Sequence, residues 1–377
     1  MRRKLLYYCQ SLVGMGHLTS SLRIARALLD RGHEVDFIQG GLDVRNGIGH
    51  PNYRNLKLPT LLHDSDTGGI VDADGGTEIG ELWQARAAAM AAFMRPPYDA
   101  LVIEFFPFGR RRFRREIYAL FDAVRAASGA IPIFCNVREV LIPADDRTEE
   151  RIVAMVKRDI HTIFVRGDPD IVRLDETFAR IDAIRDKVVY TGYVAPEPPA
   201  AFPPRRRKIL VSQGGGELGR EMLSSAIRTA PLLPEYRFLV AAASRTTPEG
   251  VAALRAEVRS DNVEIVPFLP DFQRHLLESA LSISLGGDNT LMDVITTRTP
   301  SLAYPSQADS EQGFRIDKLA AAGFVHPLGP ADLEPERLRS KIEQVLATPY
   351  PQRPIAADGA RVTAERVAAI LDRAGQG

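Results

Sequence analysis

A histidine placed directly behind two glycines, Gly14-Met15-Gly16-His17, is the first arrangement in this chain that can do chemistry. It follows an apolar run and opens a helical one. Glycines at such a junction let a ligand approach the backbone, and the start of the helix favours negative charge. A histidine there can take a proton near neutral pH. A plain tight turn with a helix-capping histidine is the alternative reading. Glu104 closes the apolar run that begins at Ala100. A carboxylate at the end of a parallel strand can orient and polarise His17 toward an acceptor hydroxyl. It can equally pair with one of the arginines that follow it.

The second half carries two more glycine junctions. Gly214, Gly215 and Gly216 follow a strand-like run and precede a helical one, a natural cradle for phosphate through backbone N–H groups. The lysine of a nucleotide-triphosphatase loop is missing there. Further on, Gly286 and Gly287 can approach a diphosphate, Asp288, Asn289 and Thr290 stand at a helix start, and Asp293 lies one turn in, where a carboxylate can hold two ribose hydroxyls. Asp288 or Asn289 acting only as a helix cap is the simpler reading. Glu311 and Gln312, behind Asp309 and Ser310, supply donors and acceptors suited to sugar hydroxyls, or an ordinary polar helix start. Between the halves' motifs runs the basic stretch Arg110, Arg111, Arg112, Arg114 and Arg115, which reads as a solvated helix face or as a contact for anionic lipid or an anionic acceptor.

These residues need elements to hold them. Strands are predicted over 4–10, 34–39, 100–104, 131–137, 162–166 and 187–190, and helices over 20–31, 81–94 and 111–128. Residues 46–80, rich in Gly, Asp and Pro, read as a long loop region. Five prolines between 196 and 204 mark a stiff linker. Strand–helix alternation then restarts, with strands over 208–212, 237–241, 263–266, 281–285 and 300–304. Helices follow over 218–230, from about 291, and over 312–322, 335–346 and 363–373. Such alternation predicts parallel sheets. The domains expected are 1–195, a linker over 196–207, 208–355, and a last segment, 356–377, packing back on the first domain.

Bulk properties narrow the class. The 377 residues suit two domains. Forty-eight basic residues balance 48 acidic ones, so no whole-chain basic field for nucleic acid exists. Cys9 and Cys135 lie in apolar runs and suggest neither a disulfide framework nor a metal site. The basic and apolar N-terminus is broken by Gln10 and Ser11, and reads as a first strand rather than a signal peptide. No run reaches the ~18 apolar residues of a membrane span.

Residues 285–325 (LGGDNTLMDVITTRTPSLAYPSQADSEQGFRIDKLAAAGFV) resemble the nucleotide-sugar signature of glycosyltransferase family 28. The likeness extends to the MurG-like predicted bacterial glycosyltransferases through residues 102–117, 165–172, 188–194 and 214–219. The resemblance implies a GT-B fold, α/β, with two Rossmann-like doubly wound domains facing a central cleft. It places His17 as base and Glu104 as its partner, with Gly14 and Gly16 beside them. It puts diphosphate at Gly214 to Gly216 and at Gly287 to Thr290, and the base at the backbone of Phe268 and Leu269. Ribose falls to Asp293, and the donor sugar to Glu311 and Gln312. Three positions depart from the family pattern: Asp293 replaces glutamate, Glu104 replaces aspartate, and Arg166 stands where related sequences often show histidine.

The reaction expected is an inverting, metal-independent transfer of a sugar from a nucleotide diphosphate, a UDP-sugar by resemblance, to an acceptor hydroxyl. No cofactor beyond this co-substrate is expected. The acceptor is open and includes lipid-linked or anionic molecules; nucleic acid is not a partner. The expected place is the cytoplasm, with contact at the inner membrane face through Arg110–Arg115. A nucleotide-sugar hydrolase or 2-epimerase, or a non-catalytic nucleotide-sugar-binding subunit, are the alternatives.

Overall fold

The computed structural model describes residues 1–11, 16–41, 47–63, 69–72, 78–213, 219–242, 246–306 and 310–374, leaving aside the side chains of residues 62, 63, 310 and 374. The chain divides into two compact units. One comprises Met1–Val194 with Ala356–Gly377, the other Ala195–Ile355.

The first unit opens with β1 (Lys4–Gln10), α1 (Gly16–Asp30) and β2 (Glu34–Gly40). Then come β3 (Tyr53–Lys57), the short antiparallel pair β4 (Leu61–His63) and β5 (Ile70–Asp72), and α2 (Ile79–Phe93). The unit continues with β6 (Ala100–Glu104), α3 (Arg114–Ser128), β7 (Ile133–Arg138), α4 (Asp146–Asp159), β8 (Thr162–Arg166) and β9 (Val188–Tyr190). Its main sheet runs β3-β2-β1-β6-β7-β8-β9 with parallel pairings. The order reverses between β1 and β6, and in such sheets the crevice outside the carboxyl ends of the strands at the reversal receives ligands.

The second unit comprises β10 (Arg206–Ser212), α5 (Arg220–Thr229), β11 (Arg237–Ala241), α6 (Pro248–Ala256), β12 (Val263–Val266) and α7 (Phe272–Glu278). It goes on through β13 (Ser279–Leu285), α8 (Asp288–Thr296), β14 (Ser301–Tyr304), α9 (Ser310–Ala321), β15 (His326–Pro327) and α10 (Pro335–Ala347). The sheet order is β12-β11-β10-β13-β14-β15, again parallel, with its reversal between β10 and β13.

Both sheets are apolar because they are covered. Every residue of β1 from Leu5 to Gln10 is buried, as a parallel strand with helices on both faces requires. On one face of the first sheet Tyr7, Cys9, Val102, Phe134 and Phe164 pack against Ile24 and Leu28 of α1. The last helix, α11 (Gly359–Ala374), adds Ala364, Val367 and Leu371 to the same cluster. Its entry is a close crossing: Gly359 N donates to Tyr193 O at 2.9 Å, and a β-carbon on Gly359 would lie 2.2 Å from Gly192 O.

Three expectations change. The stretch 46–80 is not wholly loop: β3 joins the sheet edge, and β4 with β5 forms a hairpin-like pair. The dense Gly, Asp and Pro hid these short strands. Helices α4, α6 and α7 were not foreseen. α4 is mostly polar, with only a narrow buried stripe, and is started by Asp145, whose carboxylate accepts from Thr148 N at 2.7 Å. Finally, β10 starts at Arg206, two residues ahead of the predicted strand. Among the described residues no helix is long and apolar enough to cross a membrane.

Candidate functional site

At the reversal of the first sheet, α1 follows β1 and brings His17 over the end of β6. His17 Nδ1 lies 2.8 Å from Glu104 Oε1, and the Glu104 side chain is wholly buried. An ionised carboxylate can only accept, so the proton of a neutral His17 ring sits on Nδ1 and the lone pair on Nε2. Ser21, one turn along α1, donates from Oγ to Glu104 Oε2 at 3.4 Å. Arg166, at the end of β8, forms an ion pair with the same Glu104 Oε1, Nη2 at 2.8 Å.

The turn after β6 closes the site from the side. Phe105 adopts a left-handed conformation, φ 67°, and its ring meets the His17 ring edge-on at 5.1 Å. A β-carbon on Gly109 would lie 2.4 Å from the Phe105 ring, so only glycine allows this fold-back. Arg110 then donates from Nε to Gln10 O at 2.6 Å and lies over the Phe105 ring. This corrects the surface reading of the basic run: Arg110 is drawn inward, whereas Arg111, Arg112, Arg114 and Arg115 are exposed.

Charge at the site is finely opposed. Burial pushes the Glu104 carboxyl above its ordinary range, while Arg166 first, then Arg110 and Arg138, and the Ser21 hydroxyl pull it down. Burial also pushes the Cys9 thiol up to about 12 and raises the Cys135 thiol and the Tyr7 phenol, with Glu104 adding to each. None of the three is a nucleophile near neutral pH.

A buried network steadies the end of β1. Arg86 donates to Glu116 Oε2 at 2.7 Å, to Gln10 Oε1 at 2.6 Å and to Pro59 O at 2.7 Å, and Tyr8 OH donates to Glu116. A β-carbon on Gly40 would fall 1.8 Å from Gln10 Oε1, so glycine there makes room for the Gln10 amide.

At the reversal of the second sheet, β13 runs through Gly286 into α8. Gly287 is the residue before the helix, and no side chain caps it; Asp288 and Asn289 lie inside the first turn, so neither is the cap that a simpler reading assigned. Gly287, Asp288, Asn289, Thr290 and Asp293 are all half-buried. Leu291 N donates back to Gly287 O at 3.0 Å, so the first turn is formed and its earlier N–H groups point along the axis. Gly286 has a packing reason: its added β-carbon would lie 2.4 Å from Ile316 Cδ1 of α9. For Gly287 the described residues give none, since among them only Thr290 Oγ1 comes within 4.0 Å.

Glu311 is buried in the first turn of α9, and the Gln312 Oε1 accepts from Ser306 N at 3.0 Å. Phe268 is 56% exposed just beyond β12, and Leu269 packs with Leu210, Leu239, Leu276 and Val294. Gly14, Gly214, Gly215 and Gly216 lie outside the described residues, as does Asp309. Among the described residues no three His, Cys, Asp or Glu side chains converge as metal ligands would.

Sequence reasoning missed Arg166 and Ser21 as partners of Glu104. Ser21 could have been found, being four residues from His17 on one helix face. Arg166 could not, because only the strand order brings β8 within reach of β6.

Residues 214–369 match the family model for the glycosyltransferase family 28 C-terminal domain. The chain is 25% identical to the UDP-N-acetylglucosamine--N-acetylmuramyl-(pentapeptide) pyrophosphoryl-undecaprenol N-acetylglucosamine transferase of Rhodospirillum centenum, over 96% of this chain and 93% of that one. Among solved structures it is similar to CalG4, the calicheamicin glycosyltransferase, with a TM-score of 0.62 at 16% identity over 99% of both chains. It is also similar to MurG of Acinetobacter baumannii, with a TM-score of 0.57 at 16% identity over 98% of this chain and 99% of that one.

Proposed function

We propose that this chain is a glycosyltransferase that carries out an inverting, metal-independent transfer of a sugar from a nucleotide diphosphate donor to an acceptor hydroxyl, a reading supported by its match to the family 28 C-terminal domain model and by its MurG-like relatives. The observation that carries the reading is the 2.8 Å contact between His17 Nδ1 and Glu104 Oε1. In a neutral imidazole this contact favours the proton on Nδ1 and leaves Nε2 free to take the proton of an attacking hydroxyl. Attack by that oxygen on the anomeric carbon breaks the bond to the diphosphate in one displacement, which inverts the centre. The leaving diphosphate gains negative charge. The N-terminus of α8, entered through Gly287 with its missing β-carbon, supplies N–H donors and the positive end of a helix dipole for that charge. Asp293, one turn into the helix, is assigned the ribose, Glu311 and Gln312 the donor sugar, and Phe268 with Leu269 the base.

The donor we assign is a UDP-sugar and the acceptor a lipid-linked or anionic molecule, on the pattern of the substrates named for the Rhodospirillum centenum relative. The exposed Arg111, Arg112, Arg114 and Arg115 suit peripheral contact with an anionic cytoplasmic membrane face. A screen of nucleotide diphosphates by thermal shift tests the donor, because a ligand that binds only the folded state raises its stability. UDP should raise the transition most. His17→Ala should lower turnover on the order of 10²–10⁴-fold with donor affinity kept. Full turnover in that variant removes the histidine from the mechanism.

A further inference from the structure

The buried ion pair between Glu104 and Arg166 joins residues on β6 and β8, two strands apart in the sheet, with β7 between them. The relevant side chains share one face. Glu104 is in register with Asn136, and Asn136 with Phe164; Arg138 is in register with Arg166. Phe164 packs toward α1 with Tyr7 and Cys9, so the guanidinium of Arg166 reaches Glu104 beneath the first turns of that helix. The Arg166 side chain is 2% exposed and that of Glu104 0%. Both His17 Nδ1 and Arg166 Nη2 lie 2.8 Å from the same oxygen, Oε1.

We infer that Arg166 is a positioning residue for His17: its guanidinium holds Glu104 ionised and fixed at Oε1, so that His17 carries its proton on Nδ1 and presents Nε2 to the acceptor hydroxyl. The inference rests on His17 being the base.

The groups that face Glu104 come from every element around it. α1 supplies His17 and Ser21, β1 supplies Tyr7 and Cys9, β7 supplies Arg138, with Cys135 close by on the opposite face of the sheet, β8 supplies Arg166, and the turn after β6 supplies Arg110. Tyr7, Cys9 and Cys135 stay neutral near pH 7, because burial raises all three. Of the described groups named here, that leaves one carboxylate, three guanidiniums and the imidazole. Of the three guanidiniums Arg166 opposes the burial of Glu104 most strongly. Arg110 is turned to the Gln10 carbonyl.

Two consequences of losing Arg166 run in the same direction. If Glu104 remains ionised, His17 loses one neighbouring positive charge and holds a second proton to higher pH. If Glu104 instead takes up a proton, the acceptor for Nδ1–H is lost until the pH rises further. In either case the base becomes available only at higher pH.

The test is the acid limb of kcat/KM against pH in Arg166→Met, Arg166→Gln and Arg166→Lys, together with the ¹³C-labelled imidazole titration of the full chain, in which His17→Gln assigns the ring signal. Arg166→Met should move the acid limb up by about 1–3 pH units, the range for loss of an adjacent opposite charge. Arg166→Lys should restore most of it, because the positive charge remains. Where Arg166→Met does not fold, Arg166→Gln, which keeps a hydrogen-bond donor for the carboxylate, replaces it with the same expected shift. An acid limb and a His17 titration that both stay where they are in the neutral variants overturn the inference, whatever the role of His17. Full activity in His17→Gln overturns the base reading instead, and with it the catalytic side of the inference, while the titration still reports whether Arg166 acts on the ring.

Discussion

Gly286 sits so close to Ile316 that a β-carbon on the glycine would lie 2.4 Å from Ile316 Cδ1, whereas a β-carbon on its neighbour Gly287 would meet, among the described residues, only Thr290 Oγ1 at 4.0 Å. The two adjacent glycines therefore serve different ends. The first lets α9 pack on the end of β13. The second meets no such packing demand among the described residues at the start of α8.

Gly286→Ala should cost about 1–3 kcal/mol through overpacking, and Ile316→Val in the same chain should return part of that. Gly287→Ala should cost less, up to about 1 kcal/mol, because its backbone is unstrained but alanine is a poorer helix cap than glycine. Its effect should appear in nucleotide diphosphate affinity, measured by calorimetry. Equal stability losses in the two variants would show that the second glycine is also there for packing.

The cysteines give a pH-dependent readout. Burial lifts the Cys9 thiol to about 12 and raises that of Cys135. A thiol pKa raised on folding contributes stability that is complete below the unfolded thiol pKa, near 8.5, and is lost as pH climbs toward the folded value. The native protein should therefore leave both thiols unreactive toward a disulfide reagent at pH 8. Denaturant should release two equivalents, the chain's full cysteine content. Stability should fall as pH rises from about 9 toward 12, and a Cys9→Ala variant should show a shallower fall. Fast labelling of the native protein at pH 8 would contradict the burial.

Arg205 binds the end of two helices at once. It donates to Leu276 O at 3.0 Å in the last turn of α7 and to Ser279 O at 2.9 Å just beyond it, and to Thr297 O and Arg298 O, both at 2.8 Å, beyond α8. A cation at helix carboxyl ends is favoured by the dipole as well as by the hydrogen bonds. Arg205→Met should destabilise by about 1.5–3 kcal/mol, the scale of hydrogen bonds to a charged group. Arg205→Lys should recover only a part, since one ammonium cannot span both helix ends. Urea unfolding of the full chain measures this, and a midpoint that does not move would mean that water replaces the guanidinium at no cost.

The candidate site was partly legible residue by residue. His17 and Glu104 could be paired from the sequence because each ends or follows an apolar run, and carboxyl ends of parallel strands point to one edge of a sheet. Local patterning could not show that Arg110 turns back to the Gln10 carbonyl: its four exposed arginine neighbours at 111, 112, 114 and 115 look the same in sequence. The left-handed Phe105 and the close approach of Gly109 to its ring make that turn, and neither is a propensity that a run of arginines displays.

The sequence by itself determined the two rounds of strand–helix alternation, the glycine junctions and the residues that stand at strand ends, because periodicity and glycine placement act over a few neighbouring residues. The resemblance of residues 285–325 carried the likeness to family 28 transferases. Tertiary structure alone decided which strand ends meet. Arg166 reaches Glu104 across 62 residues of chain only because β8 lies two places from β6 in the sheet. It also separated Gly286 from Gly287, since packing against α9 is a property of position in space and leaves no mark on the two letters themselves.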